Sequence, residues 1–169
     1  FVKCEVTNAE DEKVLIENGF KRNLFPLVNP STVILNLKLS ESELWGNLKK
    51  DAKQSIKKSE VDIKFYKNAD VEIRKVFWEL LNKCGKEKGF YVQPYSDLNS
   101  KIEIFKEESV ISLAYFNGVA VAGALILNFD GNSFYTHAGA NKIGRETFAS
   151  YKLLWKTMLY LKKEGIEFF

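Results

Sequence analysis

Five lysines fall within ten residues of this chain. Lys49, Lys50, Lys53, Lys57 and Lys58 stand against a single acidic residue, Asp51, a local charge of +4. The full 169 residues carry only +3, from 25 Lys and Arg against 22 Asp and Glu. Outside this stretch the chain is therefore close to neutral. A uniformly basic chain would point to indiscriminate nucleic-acid binding, whereas a local excess points to one anion site. Lys49, Lys53 and Lys57 recur at i, i+4 and i+8, which stacks them on one flank of a helix. Like charges at that spacing destabilise an isolated helix, so water or a bound anion must compensate. A diphosphate held at a cleft wall suits such a row.

A second group gathers near residue 137. His137 is the only histidine, and an imidazole titrates near neutrality, as a general base requires. Tyr135, two residues earlier, offers a hydroxyl as a hydrogen-bond donor. Gly139 and Ala140 follow where a strand gives way to a loop. Cys4 and Cys84 stand far apart, in neither C-x-x-C nor zinc spacing, and both fall in apolar patterns. They read as buried free thiols, and with one histidine no metal site is expected. No Ser-His-Asp or Cys-His set is visible.

The elements that must position these residues follow from periodicity. Hydrophobic residues make up 46% of the chain and charged residues 28%, with three prolines, which fits a folded domain and excludes a disordered or disulfide-stapled chain. The longest apolar run, Val119 to Leu127, is strand-length, well short of the ~18 residues that a membrane helix needs. Phe1–Val6 and Thr32–Leu37 read as strands, and Glu10–Asn18 as a short helix stopped by Gly19. Ser40 and Glu43 form a capping box that opens a helix running to about Ser59, with Leu44, Trp45, Leu48, Ala52 and Ile56 inward. Val61–Tyr66 reads as a strand. Asp70 caps a helix whose buried stripe is Ile73, Val76, Phe77, Leu80, Leu81 and Cys84, ending at Gly89. Phe90–Pro94 is an aromatic connector and Asp97–Lys106 a further helix.

The pattern then changes. Val110–Phe116, Val119–Phe129 and Ser133–Ala138 are strands separated by Asn117-Gly118 and Asp130-Gly131, both hairpin dipeptides. They predict an antiparallel meander. Gly139–Glu146 reads as a polar loop. Phe148–Lys163 reads as a helix packed through Leu154, Trp155 and Met158, and Ile166–Phe169 as the start of a strand.

The order meander, glycine loop, helix, strand resembles that of GNAT-type acyltransferases, a mainly antiparallel α+β sheet flanked by helices. Three stretches resemble one branch, the FemABX peptidoglycan-bridge aminoacyltransferases. The first is Thr32–Leu37, then Ser40–Trp45, then Ala52–Glu60, similar to a strand, capped helix and R-x-N-I-R-K-A-like segment; here Lys53 and Lys57 replace arginines. The second is Phe134–Ala140, similar to an aromatic-Tyr-x-x-Gly-Ala strand end. The third is Tyr151–Trp155 followed by Leu161–Gly165, similar to a Y-x-L-L-W helix with a K-x-x-G stop.

The resemblance implies a cytoplasmic enzyme that moves an amino acid from aminoacyl-tRNA to an amine of a lipid- or nucleotide-linked muropeptide, a cell-wall precursor, with peripheral contact at the inner membrane face. It implies two GNAT-like lobes, with residues 1–38 the remnant of the first and 39–169 most of the second. Lys49, Lys53 and Lys57 would hold precursor phosphate. Tyr135 and Gly139 would border the point where GNAT-like sheets part to admit substrate, and Phe90 and Tyr91, with Tyr95, would line an acceptor-peptide groove. Tyr135 and His137 are the candidate catalytic residues. No cofactor is expected beyond aminoacyl-tRNA as co-substrate. Acetyl-CoA enzymes carry a Q/R-x-x-G-x-G/A phosphate loop; Asn141, Gly144 and Glu146 fill those positions here, and a carboxylate there would repel phosphate. An acyl-CoA-dependent N-acyltransferase and a non-catalytic binding module are the alternatives.

Overall fold

The structure is a computed structural model that describes residues 9–21 and 32–169. The readings for Phe1–Val6 and Cys4 lie outside those residues. The chain divides into two compact units, Phe1–Val33 and Ile34–Phe169. In the first, helix α1 (Ala9–Glu17) starts on Glu10, Asp11 and Glu12, where carboxylates favour the positive helix end. Gly19 follows it at φ +84°.

The second unit is built on a four-stranded antiparallel sheet of order β1-β2-β3-β4. Its strands are β1 (Asp62–Lys67), β2 (Ser109–Phe116), β3 (Val119–Phe129) and β4 (Asn132–Ala140). Both hairpin dipeptides do what their residue types predict: Asn117 and Gly118, then Asp130 and Gly131, all take positive φ, which matches the twist of the flanking strands. The GNAT-like fold expected from the sequence is the fold observed.

Each face of the sheet is covered. On one side lie α4 (Val71–Lys88) and α5 (Tyr95–Phe105), packing Phe77, Leu81, Leu98 and Ile102 onto Ile111, Leu113 and Leu125. On the other lies α7 (Ala149–Lys163), with Leu153, Trp155, Met158 and Leu161 against Val110, Ala124 and Ile126. Asp70 Oδ1 accepts from the Ile73 amide at 2.9 Å, and Gly89 ends α4 at φ +73°. The α4 stripe differs at two points. Val76 is 37% exposed, while Arg74 is buried and bonds the Ala69 carbonyl, Asn99 and Glu103. Arg74 thereby ties α4 to α5. On α7, Leu154 is 38% exposed and Leu153 is the inward residue.

Three further readings need correction. The helix expected from Ser40 to Ser59 is two, α2 (Glu41–Gly46) and α3 (Lys50–Lys58). Gly46 and Asn47 break it; Lys53 Nζ donates back to the Gly46 carbonyl at 2.9 Å and closes the first piece. The capping box at Ser40 and Glu43 is present, and its hydrogen bonds hold the Glu43 carboxyl below its ordinary pKa. Thr32–Leu37 does not join the sheet. Leu35 and Leu37 pair instead with Phe169 and Glu167, and Phe168 makes two isolated bridges, one to Asn36 and one, parallel, to Asn132 of β4, where the Ser133 amide donates to its carbonyl at 2.8 Å. Lastly, Gly139–Glu146 is not a loop: β4 runs to Ala140 and a short helix, α6 (Lys142–Glu146), follows.

Candidate functional site

A cavity of about 280 Å³ lies at the carboxyl end of β4. Its walls come from α4 and the connector after it (Cys84, Lys88, Phe90), from Arg145 on α6, and from Ser150 and Leu153 on α7. Ala138, Gly139 and Ala140 border it with Tyr135, and Gly123 of β3 contributes beneath them. Gly123 and Gly139 are cross-strand partners. A Cβ at 139 would meet Leu81 at 3.1 Å, and one at 123 would meet Leu113 at 2.7 Å and Phe77 at 2.9 Å. The absence of side chains lets α4 lie close to the sheet here.

The polarity of the β4 edge follows from one bond. The Asn141 amide donates to the Val121 carbonyl of β3 at 3.0 Å. Along a strand the amide and carbonyl of alternate residues point to opposite sides. Gly139 therefore faces β3, and Ala138 turns its N–H and C=O to the outer edge, past the stretch that Phe168 pairs at Asn132 and Ser133, where the cavity lies. Val121 is itself the extra residue of a bulge, since Ala114 pairs with Ala122 and Tyr115 with Ala120. The bulge pushes its carbonyl toward α6, and Gly144 packs there: a Cβ at 144 would overlap that oxygen.

A second bulge decides the fate of the two candidate catalytic residues. His137 pairs with Leu125 and Tyr135 with Ile126, leaving Thr136 as the inserted residue. Thr136 Oγ1 donates to the Leu125 carbonyl at 3.0 Å and fastens the bulge. Leu125 belongs to the α4/α5 side of the core and Ile126 to the α7 side. The inserted residue thus sends Tyr135 and His137 to opposite faces. Tyr135 lines the cavity, 49% exposed, with its ring edge-on to Phe169 at 6.1 Å. Burial of part of the side chain holds its hydroxyl above the usual tyrosine pKa. His137 does not line the cavity. Its Nε2 lies 3.3 Å from both Lys101 Nζ and Gln93 Oε1. Burial, then the Lys101 charge, lower its pKa.

The other predicted residues divide. Gly139 and Phe90 line the cavity, and Tyr91 does not, standing 81% exposed. Lys53 and Lys57 lie on α3 and Lys49 is the extended residue that precedes it, all three outside the cavity wall. Lys53 bonds Gly46, and Lys57 Nζ sits 5.9 Å over the Trp45 ring. In the segment after β4, the Gly144 amide is taken by Asn141 Oδ1 at 2.9 Å, so that donor is closed to a phosphate. Sequence reasoning missed Cys84, Lys88, Gly123, Ser150 and Leu153. Gly123 carried a signal, as the one glycine inside an apolar strand run, which marks close backbone approach. The rest come together only through tertiary packing. Among the described residues no three His, Cys, Asp or Glu gather as a metal site, and no helix is long and apolar enough to cross a membrane.

No protein-family model matches the chain, and no curated protein sequence does. Solved structures do. FemX superposes with a TM-score of 0.73 at 12% identity, over 95% of this chain and 58% of its own. The C-terminal domain, DUF2156, of an Agrobacterium fabrum protein assigned as a lysylphosphatidylglycerol synthetase gives 0.62 at 12%, over 80% of this chain and 44% of that one. The ribosomal-protein-S18-alanine N-acetyltransferase of Escherichia coli gives 0.52 at 10%, over 62% and 63%. These likenesses establish a shared GNAT-like fold. The chain spans a little over half the length of the FemX chain.

Proposed function

We propose that the protein is an acyltransferase of the aminoacyl type, moving an amino acid from aminoacyl-tRNA to an amine on a cell-wall precursor peptide. The observation that carries this reading is the cavity at the outer edge of β4 near its carboxyl end, in a fold that matches FemX over 95% of the chain. The three sequence stretches that resemble FemABX enzymes point the same way. An aminoacyl ester is already activated, so the site must mainly align a neutral amine with the carbonyl and stabilise the oxyanion. The outward N–H of Ala138 suits the oxyanion. Tyr135, a phenol that stays protonated at neutral pH, would donate a hydrogen bond to the peptide or the transferred group. The lysine row at 49, 53 and 57 would engage precursor phosphate from α3 and the residue before it. Such a reaction would belong to the cytoplasm, where charged tRNA is available, and residues 1–38 would be the end of a first lobe.

The test is a transfer assay on the full-length protein that carries this chain, with radiolabelled aminoacyl-tRNA and a nucleotide-linked muropeptide, run beside labelled acetyl-CoA. Label in the muropeptide from aminoacyl-tRNA alone is the expected result. Label from acetyl-CoA alone would replace this reading with acyl-CoA-dependent N-acyl transfer. Label from neither would leave a binding module.

A further inference from the structure

His137 stands off the cavity, yet it is bonded into the segment that enters the cavity wall. That segment is the connector at residues 90–94, between α4 and α5, which has no regular structure of its own. Its backbone is seated on α4. The Phe90 amide donates to the Gly85 carbonyl at 3.1 Å, and the Trp78 indole N–H donates to the Gln93 carbonyl at 3.0 Å. Val92 lies over Gly85 so closely that a Cβ there would come to 2.5 Å from its methyl. The Gln93 side chain reaches the other way. Its Oε1 accepts from Lys101 Nζ of α5 at 2.7 Å and lies 3.3 Å from His137 Nε2, which is itself 3.3 Å from Lys101 Nζ. Among the described residues, His137 is the one sheet residue within hydrogen-bond distance of the connector. An ammonium only donates, so the Nε2 lone pair accepts from Lys101. The ring proton then sits on Nδ1, which is buried without a partner.

We infer that His137 is a positioning residue: through Lys101 and Gln93 it clasps the connector to β4 and so sets Phe90 in the cavity wall against which the acceptor peptide binds. The inference rests on the transfer reading above and names what holds its acceptor wall in place. The clasp works with a neutral ring. A proton on Nε2 ends its role as acceptor, makes it compete with Lys101 for Gln93 Oε1, and sets a second cation 3.3 Å from the ammonium. Lys101, from α5, is the charge that acts on the ring. No carboxylate lies within 4 Å of His137 among the described residues to offset it. From α4, Leu81 and the Cys84 thiol meet this part of β4 at Gly139, and from β3 the cross-strand partner is Leu125. Phe90 and Gln93 are three residues apart in a segment with no ladder of its own, so a change at one end is felt at the other.

Two readouts on the full-length protein that carries this chain test the clasp. The first is a pH titration without substrate, following the His137 ring and the Phe90 and Gln93 amide resonances. Both amides should move with the midpoint of the ring. They should stay still in His137→Gln, whose side-chain oxygen accepts from Lys101 at any pH. Gln93→Glu places a carboxylate beside the ring and raises its midpoint, and the Phe90 shift should move up with it. The second readout is KM for the muropeptide, taken as the ratio of wild type to His137→Gln at each pH so that ionisation of the substrates cancels. The ratio should stay near one while the ring is neutral and rise about fivefold as it charges, the order of one lost hydrogen bond, with little change in kcat. Gln93→Ala has no clasp and should show the raised KM at every pH. A Phe90 resonance indifferent to the His137 titration would overturn the clasp. A KM ratio flat with pH, in a protein whose Phe90 does follow the ring, would overturn its positioning role. A protein in which Phe90 follows the ring but nothing is transferred keeps the clasp and overturns the reaction.

Discussion

Tyr135 and His137 stand two residues apart on β4 and project from opposite faces of the sheet, because Thr136 is an inserted residue between them. In a regular strand, residues i and i+2 share a face. The bulge breaks that rule at the strand that borders the cavity. Tyr135 faces the cavity beside α7, and His137 is drawn toward α5 through Gln93 and Lys101.

The first prediction separates the two. Tyr135→Phe removes a hydroxyl from the cavity wall and should lower kcat for transfer by about tenfold, as for one hydrogen bond formed in the transition state. Its thermal stability should change little, since that side chain is half exposed. His137→Gln should leave kcat within about twofold of wild type at pH 7.5, because the imidazole lies off the cavity. Steady-state kinetics on both variants decides the matter. A collapse of kcat in His137→Gln with Tyr135→Phe unaffected would reverse the assignment.

His137 should instead show itself in stability. Its folded-state pKa is lowered, first by burial and then by Lys101, so the native state favours the neutral ring. The unfolded chain takes up the proton first as pH falls. The contribution is therefore complete above the ordinary histidine value of about 6.5 and is lost as pH drops from there toward the lower folded value. Melting temperature should fall more steeply between pH 7 and 5 in wild type than in His137→Gln. Because His137 is the only histidine, its ring resonances also titrate without overlap. Parallel melting curves for the two proteins would remove this role.

Much of the sheet was legible because its signals are local. Asn117-Gly118 and Asp130-Gly131 fix two turns by backbone chemistry alone, and the strands between them must then pair as a meander. The ends of α4 were equally local, in Asp70 and Gly89. What escaped depended on distant partners. The break after Gly46 is stabilised by Lys53, seven residues on. The Thr136 bulge is fastened by a carbonyl of β3, and nothing in the Phe134–Ala140 run announces an inserted residue. Phe90 and Gly139, read from sequence as a groove residue and a strand-end residue, both line the cavity, but Cys84 and Lys88 enter the wall only because α4 crosses the sheet at the Gly123–Gly139 pair.

Gly144 tests how firmly α6 is seated. A Cβ there would overlap the Val121 carbonyl and lie 3.3 Å from the Ala140 Cβ. Backbone cannot move aside as a side chain can, so Gly144→Ala should destabilise by about 1–3 kcal/mol, the usual range for overpacking. Gly46→Ala meets nothing within 4 Å and serves as the contrast, with a change within about 1 kcal/mol. Urea denaturation of the two variants supplies the comparison. Equal midpoints would mean that α6 does not pack on the Val121 bulge as described.

The lysine row needs a more careful test than its charge pattern alone would call for. Read from sequence, replacing Lys53 and Lys57 should weaken a phosphate-bearing substrate without touching the fold. The structure gives both of them internal work: Lys53 closes α2 at Gly46, and Lys57 lies over Trp45. Lys53→Ala and Lys57→Ala should each cost about 0.5–1 kcal/mol of stability, which would blur any change in KM. Lys162 is a poor control for the same reason, since its Nζ donates to the Leu37 carbonyl at 2.8 Å. Lys49 is the cleaner probe, being exposed and without a carboxylate partner within 4 Å among the described residues. Lys49→Ala should leave the melting temperature unchanged and raise KM for the muropeptide severalfold, with less effect at high salt if the contact is open to solvent. Lys163→Ala is the matching exposed control. Equal KM in Lys49→Ala and Lys163→Ala would mean that the row is a solvated helix flank.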